Sequence, residues 1–222
     1  MEHTVKAVDD QLNAMTRDLA AMGDLAVAQV RAAIDVFLRH DLTAAAKVVR
    51  GDDALDLQDA DIERRAVRFI ALHQPMADDL RRPIAAMKIA MQLERCGDLA
   101  KNIAKRVGRM DAPADADQAE PVAGLGRLAA ERLSSVVDAY RASDAQGAYN
   151  VWVRDTEIDE LHEKVLAGLI EAMARESRAL GDFAHLLFIA KNLERIGDHA
   201  TNIAELVHYQ ITGADLADRP KL

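Results

Sequence analysis

A single cysteine, Cys96, stands among the 222 residues. The chain can therefore form neither an internal disulfide nor a cysteine-based zinc centre, and a reduced, cytoplasmic compartment fits. Aromatic residues are scarce, at 4%, while alanine is abundant. That balance suits packed helices rather than sheets, which favour aromatic and β-branched side chains. Apolar runs stay far short of the roughly 20 residues that span a bilayer. Any membrane association is therefore expected to pass through a partner. The opening Met1-Glu2-His3-Thr4-Val5-Lys6 lacks the apolar stretch of a signal peptide. Positive charge is in deficit: the net charge is −9 and the pI about 5.3. Nonspecific nucleic-acid binding needs a basic face, so this balance argues against it and leaves cation binding open.

What the chain does have is a repeat. Leu93-Glu94-Arg95-Cys96-Gly97-Asp98 returns 100 residues later as Leu193-Glu194-Arg195-Ile196-Gly197-Asp198. Asn102-Ile103-Ala104 returns as Asn202-Ile203-Ala204 at the same offset. Two copies of one acidic motif indicate a duplication.

Apolar residues recur at steps of three and four, the helical period. The pattern predicts helices over about 3–39, 42–73 and 78–109 in the first half. It predicts 125–142, 145–177 and 183–211 in the second. Pro75 ends the second helix, because proline disfavours helix in the residue before it. Pro83 is comfortable only in a first helical turn, which leaves the start of the third helix open. The polar segment 111–121 contains Pro113 and Pro121 and has no periodicity, so it reads as a linker. The predicted fold is all-α: two tandem, pseudo-twofold-related antiparallel three-helix bundles, over 1–112 and 121–222, with 113–120 between them.

Glu94 and Asp98 lie four apart, hence on one helix face. So do Glu194 and Asp198. The preceding helix of each half carries a matching pair, Asp52 with Asp56 and Asp155 with Asp159. In an antiparallel hairpin, residues equidistant from the turn lie level. Positions 52 and 98, like 56 and 94, centre on Pro75. Positions 155 and 198, like 159 and 194, centre between 176 and 177. Each half is thus expected to bring four carboxylates together. Such groups repel unless a cation or basic side chains neutralise them. Oxygen donors suit magnesium, calcium or manganese, and carboxylates also hold iron. Asp59, Asn102, His162 and Asn202 are secondary candidates, and Asp53, Glu63 and Glu163 weaker ones. His162 stands where the first half has Asp59, so the two sites are expected to differ in metal preference. The alternative is a salt-bridged helical surface, with Arg95, Arg195, Lys101 and Lys105 close enough to pair. From the residues alone both readings stand.

The twice-repeated Leu-Glu-Arg-x-Gly-Asp-x-x-x-x-Ile resembles the PhoU family of phosphate-signalling regulators. The segment from Arg68 through His73-Gln74-Pro75 to Arg81 is similar to that family's connection between its second and third helices. The resemblance covers nearly the whole chain. It implies two similar three-helix bundles, metal clusters on the Glu/Asp-x-x-x-Asp motifs and no enzymatic activity. It implies iron or zinc, with manganese or magnesium also suited to the donors. It also implies a negative regulator of the phosphate-starvation response, linking the ATPase subunit of the phosphate ABC transporter to a membrane sensor histidine kinase. Such a protein would be cytoplasmic and reach the inner membrane only through partners, with room for a homodimer. Arg64, Arg65, Arg68, Arg81 and Arg82 cluster near one hairpin end as a candidate docking surface. The rival reading is a carboxylate-bridged di-metal oxidase or a metal-storage protein. Such oxidase sites use Glu-x-x-His pairs, and Asp159-x-x-His162 has no counterpart in the first half.

Overall fold

The computed structural model describes residues 2–175 and 180–216, with side chains from residue 8 onward. These residues form α1 (Glu2–Arg39), α2 (Leu42–Gly51), α3 (Asp53–His73), α4 (Asp78–Val107), α5 (Ala116–Ala142), α6 (Ala145–Val153), α7 (Thr156–Arg175) and α8 (Leu180–Thr212). There is no strand among them. Each half keeps a three-helix plan, with its middle helix in two pieces.

The apolar stripes are the cause of the packing. Leu12, Met15, Leu19, Met22, Ala26, Val30, Ala33 and Phe37 of α1 are all buried. So are Ile89, Leu93, Cys96, Ala100, Ile103 and Val107 of α4, and Ile189, Leu193, Ile196, Ala200, Ile203 and Val207 of α8. Four helices close a ring: α1 packs on α4, α4 on α8, α8 on α5 and α5 on α1. The arm α2/α3 lies against α1 and α4, and the arm α6/α7 against α5 and α8. One continuous apolar cluster runs through both halves.

Four boundaries differ from the sequence expectation. The helix expected over 42–73 is interrupted at Asp52, which keeps helical angles (φ −64°, ψ −35°). The helix expected over 145–177 breaks at Arg154 and Asp155, where Arg154 turns to φ −95°, ψ 12°. Residues 176–177 lie outside the described residues. Residues 116–120, expected as linker, form the start of α5, and Pro121 sits inside that helix. A proline near a helix start removes a single hydrogen bond, and the second turn absorbs that loss here. Pro83 is carried inside α4 in the same way, as its sixth residue. The last helix begins at Leu180 rather than 183. Leu72, which continues the apolar line Val48, Leu55, Ile62 and Phe69 of the helix expected over 42–73 and is expected in the core with them, is instead 64% exposed, because α3 ends one residue later at His73 and leaves its final turn uncovered.

Helix ends follow ordinary chemistry. The Asp41 carboxylate accepts from the N–H groups of Thr43 and Ala44, both at 2.9 Å, and so caps α2. Asp144 accepts from Gly147 N–H at 2.9 Å and caps α6. Asp52 and Asp155, the first carboxylates of the two proposed sites, both fall at the break in a middle helix.

Candidate metal centre

In the first half, Asp52 lies at the base of the cluster, with its side chain 1% exposed. Leu55, three residues on, is wholly buried and turns this face of α3 toward α4. Gly97 lets the two helices meet: a Cβ there would lie 2.3 Å from Leu55 Cδ1 and 3.0 Å from Asp52 Oδ1. The acids sense one another. Burial raises the Asp52 pKa, opposed by the hydrogen bond and charge of Lys101 and reinforced by Asp98 and Asp56. Burial also raises Glu94, with Asp98, Asp56 and Asp59 adding to the rise and Arg95 opposing it. Asp59 is raised by burial and by Glu63 and Asp56. The expected four carboxylates, with Asp59 beside them, are thus near enough to influence one another's charge, but among the described residues no three of their oxygens converge within 4.8 Å, so the fourfold convergence expected from the sequence is not met here.

That site already contains a cation. The Lys101 ammonium donates to Asp52 Oδ2 in a short contact, and to Asp98 Oδ1 at 3.1 Å. These bonds hold the lysine pKa above its ordinary value, the one to Asp52 most of all. Arg95 lies on the rim, 3.5 Å from Glu94 and 3.9 Å from Asp98.

The second half repeats the backbone plan with different neutralisation. Asp155 is again the buried base, and Thr201 donates its hydroxyl to Asp155 Oδ1 at 2.6 Å. Gly197 repeats Gly97: a Cβ there would lie 2.5 Å from Ile158 Cδ1. Oxygens of Asp159, Glu194 and Asp198 all lie within 4.8 Å of one another. It is the one such convergence of three potential metal-binding side chains among the described residues. The Asp198 pKa is pushed up to about 6, first by burial, then by the charges of Glu194 and Asp155. Lys191 meets Glu194 at 2.6 Å from the rim, where the lysine is 54% exposed.

The secondary candidates divide. His162 Nε2 is buried without a hydrogen-bond partner. Asn102 is exposed. Asn202 faces the other half instead, 3.4 Å from Gln92 Oε1. Asp53, Glu63 and Glu163 are exposed. Among the arginines, Arg65 is bound to Asp18 at 2.6 Å, Arg81 to Asp78 at 2.7 Å and Arg82 to Asn13 at 3.0 Å. Arg64 lies 3.5 Å from Asp61 and is itself 71% exposed, and Arg68 is exposed.

Three features of the surroundings were not anticipated. The Thr201 partner of Asp155 was findable, since it lies 100 residues after Lys101. Lys191 carried no such signal, because its counterpart is Met91. His199, for which the sequence suggested no partner, meets Gln92 Oε1 at 2.7 Å across the seam of α4 and α8. Burial and the nearby Arg195 and Arg95 lower its pKa.

An oxygen-rich triad on two helices, with an equivalent but lysine-filled cluster in a repeated half, defines a duplicated all-α protein with acidic inter-helix sites. The PhoU domain matches it twice, over residues 19–107 and 122–207, and the chain belongs to the PhoU family. A "Phosphate-specific transport system accessory protein PhoU homolog" of Caulobacter vibrioides is 47% identical, covering 100% of this chain and 97% of that protein. A homologue of the same description from Zymomonas mobilis is 39% identical over 99% of this chain and 92% of its own length. The crystal structure of PhoU from Pseudomonas aeruginosa superposes with a TM-score of 0.87 at 31% identity, covering 93% of this chain and 99% of that one.

Proposed function

We propose that this chain is an accessory regulator of phosphate-specific transport. In this reading it represses the phosphate-starvation response by coupling the ATPase subunit of the transporter to a sensor histidine kinase. The observation that carries the proposal is the full-length match to accessory proteins of phosphate-specific transport. The mechanism is differential binding: a regulator shifts a kinase only by holding one of its conformations more tightly than the other. The chain acts without catalysis, from the cytoplasmic side. Within the described residues no helix is long and apolar enough to cross a membrane; in this reading the chain meets the transporter through protein surfaces. Arg64 and Arg68 are the arginines of the hairpin cluster best placed to meet a partner.

A divalent cation fits the second half. Asp159, Glu194 and Asp198 supply three convergent oxygens, and Asp155 lies behind them on its hydroxyl partner. A bound cation would add positive charge among these acids and tie α7 to α8.

The test is deletion of the gene, followed by phosphate-responsive transcription and phosphate uptake in phosphate-rich medium. Derepressed transcription is expected. Unchanged transcription and unchanged uptake would overturn the regulatory reading.

A further inference from the structure

The two acidic clusters have equivalent carboxylates but unlike fillers. Lys101 and Thr201 occupy the same place in the repeat, three residues after the motif aspartate. Each reaches the buried aspartate at the break of the middle helix. Lys101 brings an ammonium to Asp52 and Asp98, whereas Thr201 brings a neutral hydroxyl to Asp155. We infer that Lys101 is a built-in counter-cation that closes the first half to metal, so that divalent ions bind only in the second half. The inference rests on the reading of the second-half triad as a cation site.

Two observations support it independently of the charge difference. First, three oxygens converge within 4.8 Å at Asp159, Glu194 and Asp198, and the described residues of the first half contain no such triad. Second, the lysines of the two halves differ in what their departure would cost. Lys101 is 22% exposed and its partner Asp52 only 1%. Withdrawing it would strand a buried carboxylate, which is strongly unfavourable. Lys191 is 54% exposed and pairs with Glu194 three residues along the same helix. Exposed pairs of that kind contribute little, so this lysine can swing into water and give its place to a metal ion. The first site is thus occupied by the protein itself, and the second is guarded by a side chain that can leave.

Mn2+ suits an all-oxygen donor set and is counted directly by electron paramagnetic resonance. Full-length protein without a histidine tag would be stripped with chelator and titrated with Mn2+. The wild type is expected to show binding that Asp198→Asn weakens on the order of tenfold or more. Lys101→Thr is expected to roughly double the bound Mn2+, because it copies into the first half the hydroxyl arrangement of the second. Thr201→Lys is expected to remove the binding. Because Thr201 is buried, that variant is read only if its circular dichroism and melting are native, and Lys101→Thr decides the matter without it. Unaltered Mn2+ stoichiometry in a folded Lys101→Thr would overturn the inference while leaving the second-half site standing. Absence of Mn2+ binding in the wild type and in Lys101→Thr would overturn the cation reading as well. Neither outcome bears on the phosphate phenotype, which is tested separately.

Discussion

Replacing Lys101 by methionine isolates the energetic role of the internal ammonium. Methionine keeps the length and apolar stem of lysine and removes the charge. The Asp52 carboxylate is 1% exposed, and its Oδ1 has no hydrogen-bond partner. Its Oδ2 depends on Lys101. The variant thus leaves a buried carboxylate that must either stay charged without a counter-ion or take up a proton. Losing one partner of a buried pair costs about 3–5 kcal/mol. Lys101 and Asp98 are partly exposed, at 22% and 34%, so the lower end applies, about 3 kcal/mol. For a chain of this length that corresponds to a fall in Tm of roughly 6–12 °C. Urea unfolding of chelator-treated protein is the assay. The loss should shrink at pH 5, where Asp52 is more readily protonated, since burial already raises its pKa. Adding Asp52→Asn should recover most of the loss, because removing both charges avoids the stranded anion. A single-variant cost below about 1 kcal/mol, or a double variant no more stable than the single, would refute the argument.

Asp198 gives a pH dependence of defined sign. Its folded pKa, about 6, lies above its ordinary 3.8, so between those values the folded chain holds more protons than the unfolded one. Stability in chelator therefore falls as pH rises through that window, and the penalty is complete above it. Because Asp198 is exposed, solvent screening reduces the penalty to on the order of 1 kcal/mol. Asp198→Asn should be more stable than wild type by that amount at pH 7.5 and equal at pH 4. Equal differences at both pH values would contradict it. Gly197→Ala should destabilise by about 1–2 kcal/mol, as overpacking against Ile158 exceeds the gain in helix propensity. Ile158→Val removes the atom nearest the new methyl and should restore part of the loss; an unchanged loss in the double variant would show that the contact is not its cause.

Periodicity and the 100-residue echo were enough to read the helices and the meeting of the carboxylates. The stripes of α1, α4 and α8 are buried at every expected position. The turn-centred arithmetic pairs Asp52 with Asp98 and Asp155 with Asp198; in the structure Lys101 bonds both Asp52 and Asp98, and Asp155 is near enough to Asp198 to raise its pKa. The interruptions at Asp52 and Asp155 were less legible. At Asp52 the preceding Gly51 is the one local signal of a loosened helix, and the backbone angles of Asp52 itself stay helical. Near Asp155 the sequence Trp152-Val153-Arg154 has neither glycine nor proline. Residues 116–120 read as linker in the sequence because Pro121 resembles a stop signal, although a helix tolerates it near its start. Lys101 was visible as a neighbour of the acids. Its insertion between Asp52 and Asp98 depends on how far α3 and α4 approach, which Gly97 and Leu55 set.

The closed ring of α1, α4, α8 and α5 has a consequence for what can count as a module. A duplicated sequence invites the view that either copy could be cut out, exchanged or evolved alone. Here the inner helices of one copy are the other copy's wall, and a single apolar cluster belongs to both. The cooperative unit is therefore the whole chain, and the copies can diverge only on their outer arms without each disturbing the other. Lys101 and Thr201, which face those arms, are where divergence is least constrained by the shared interior.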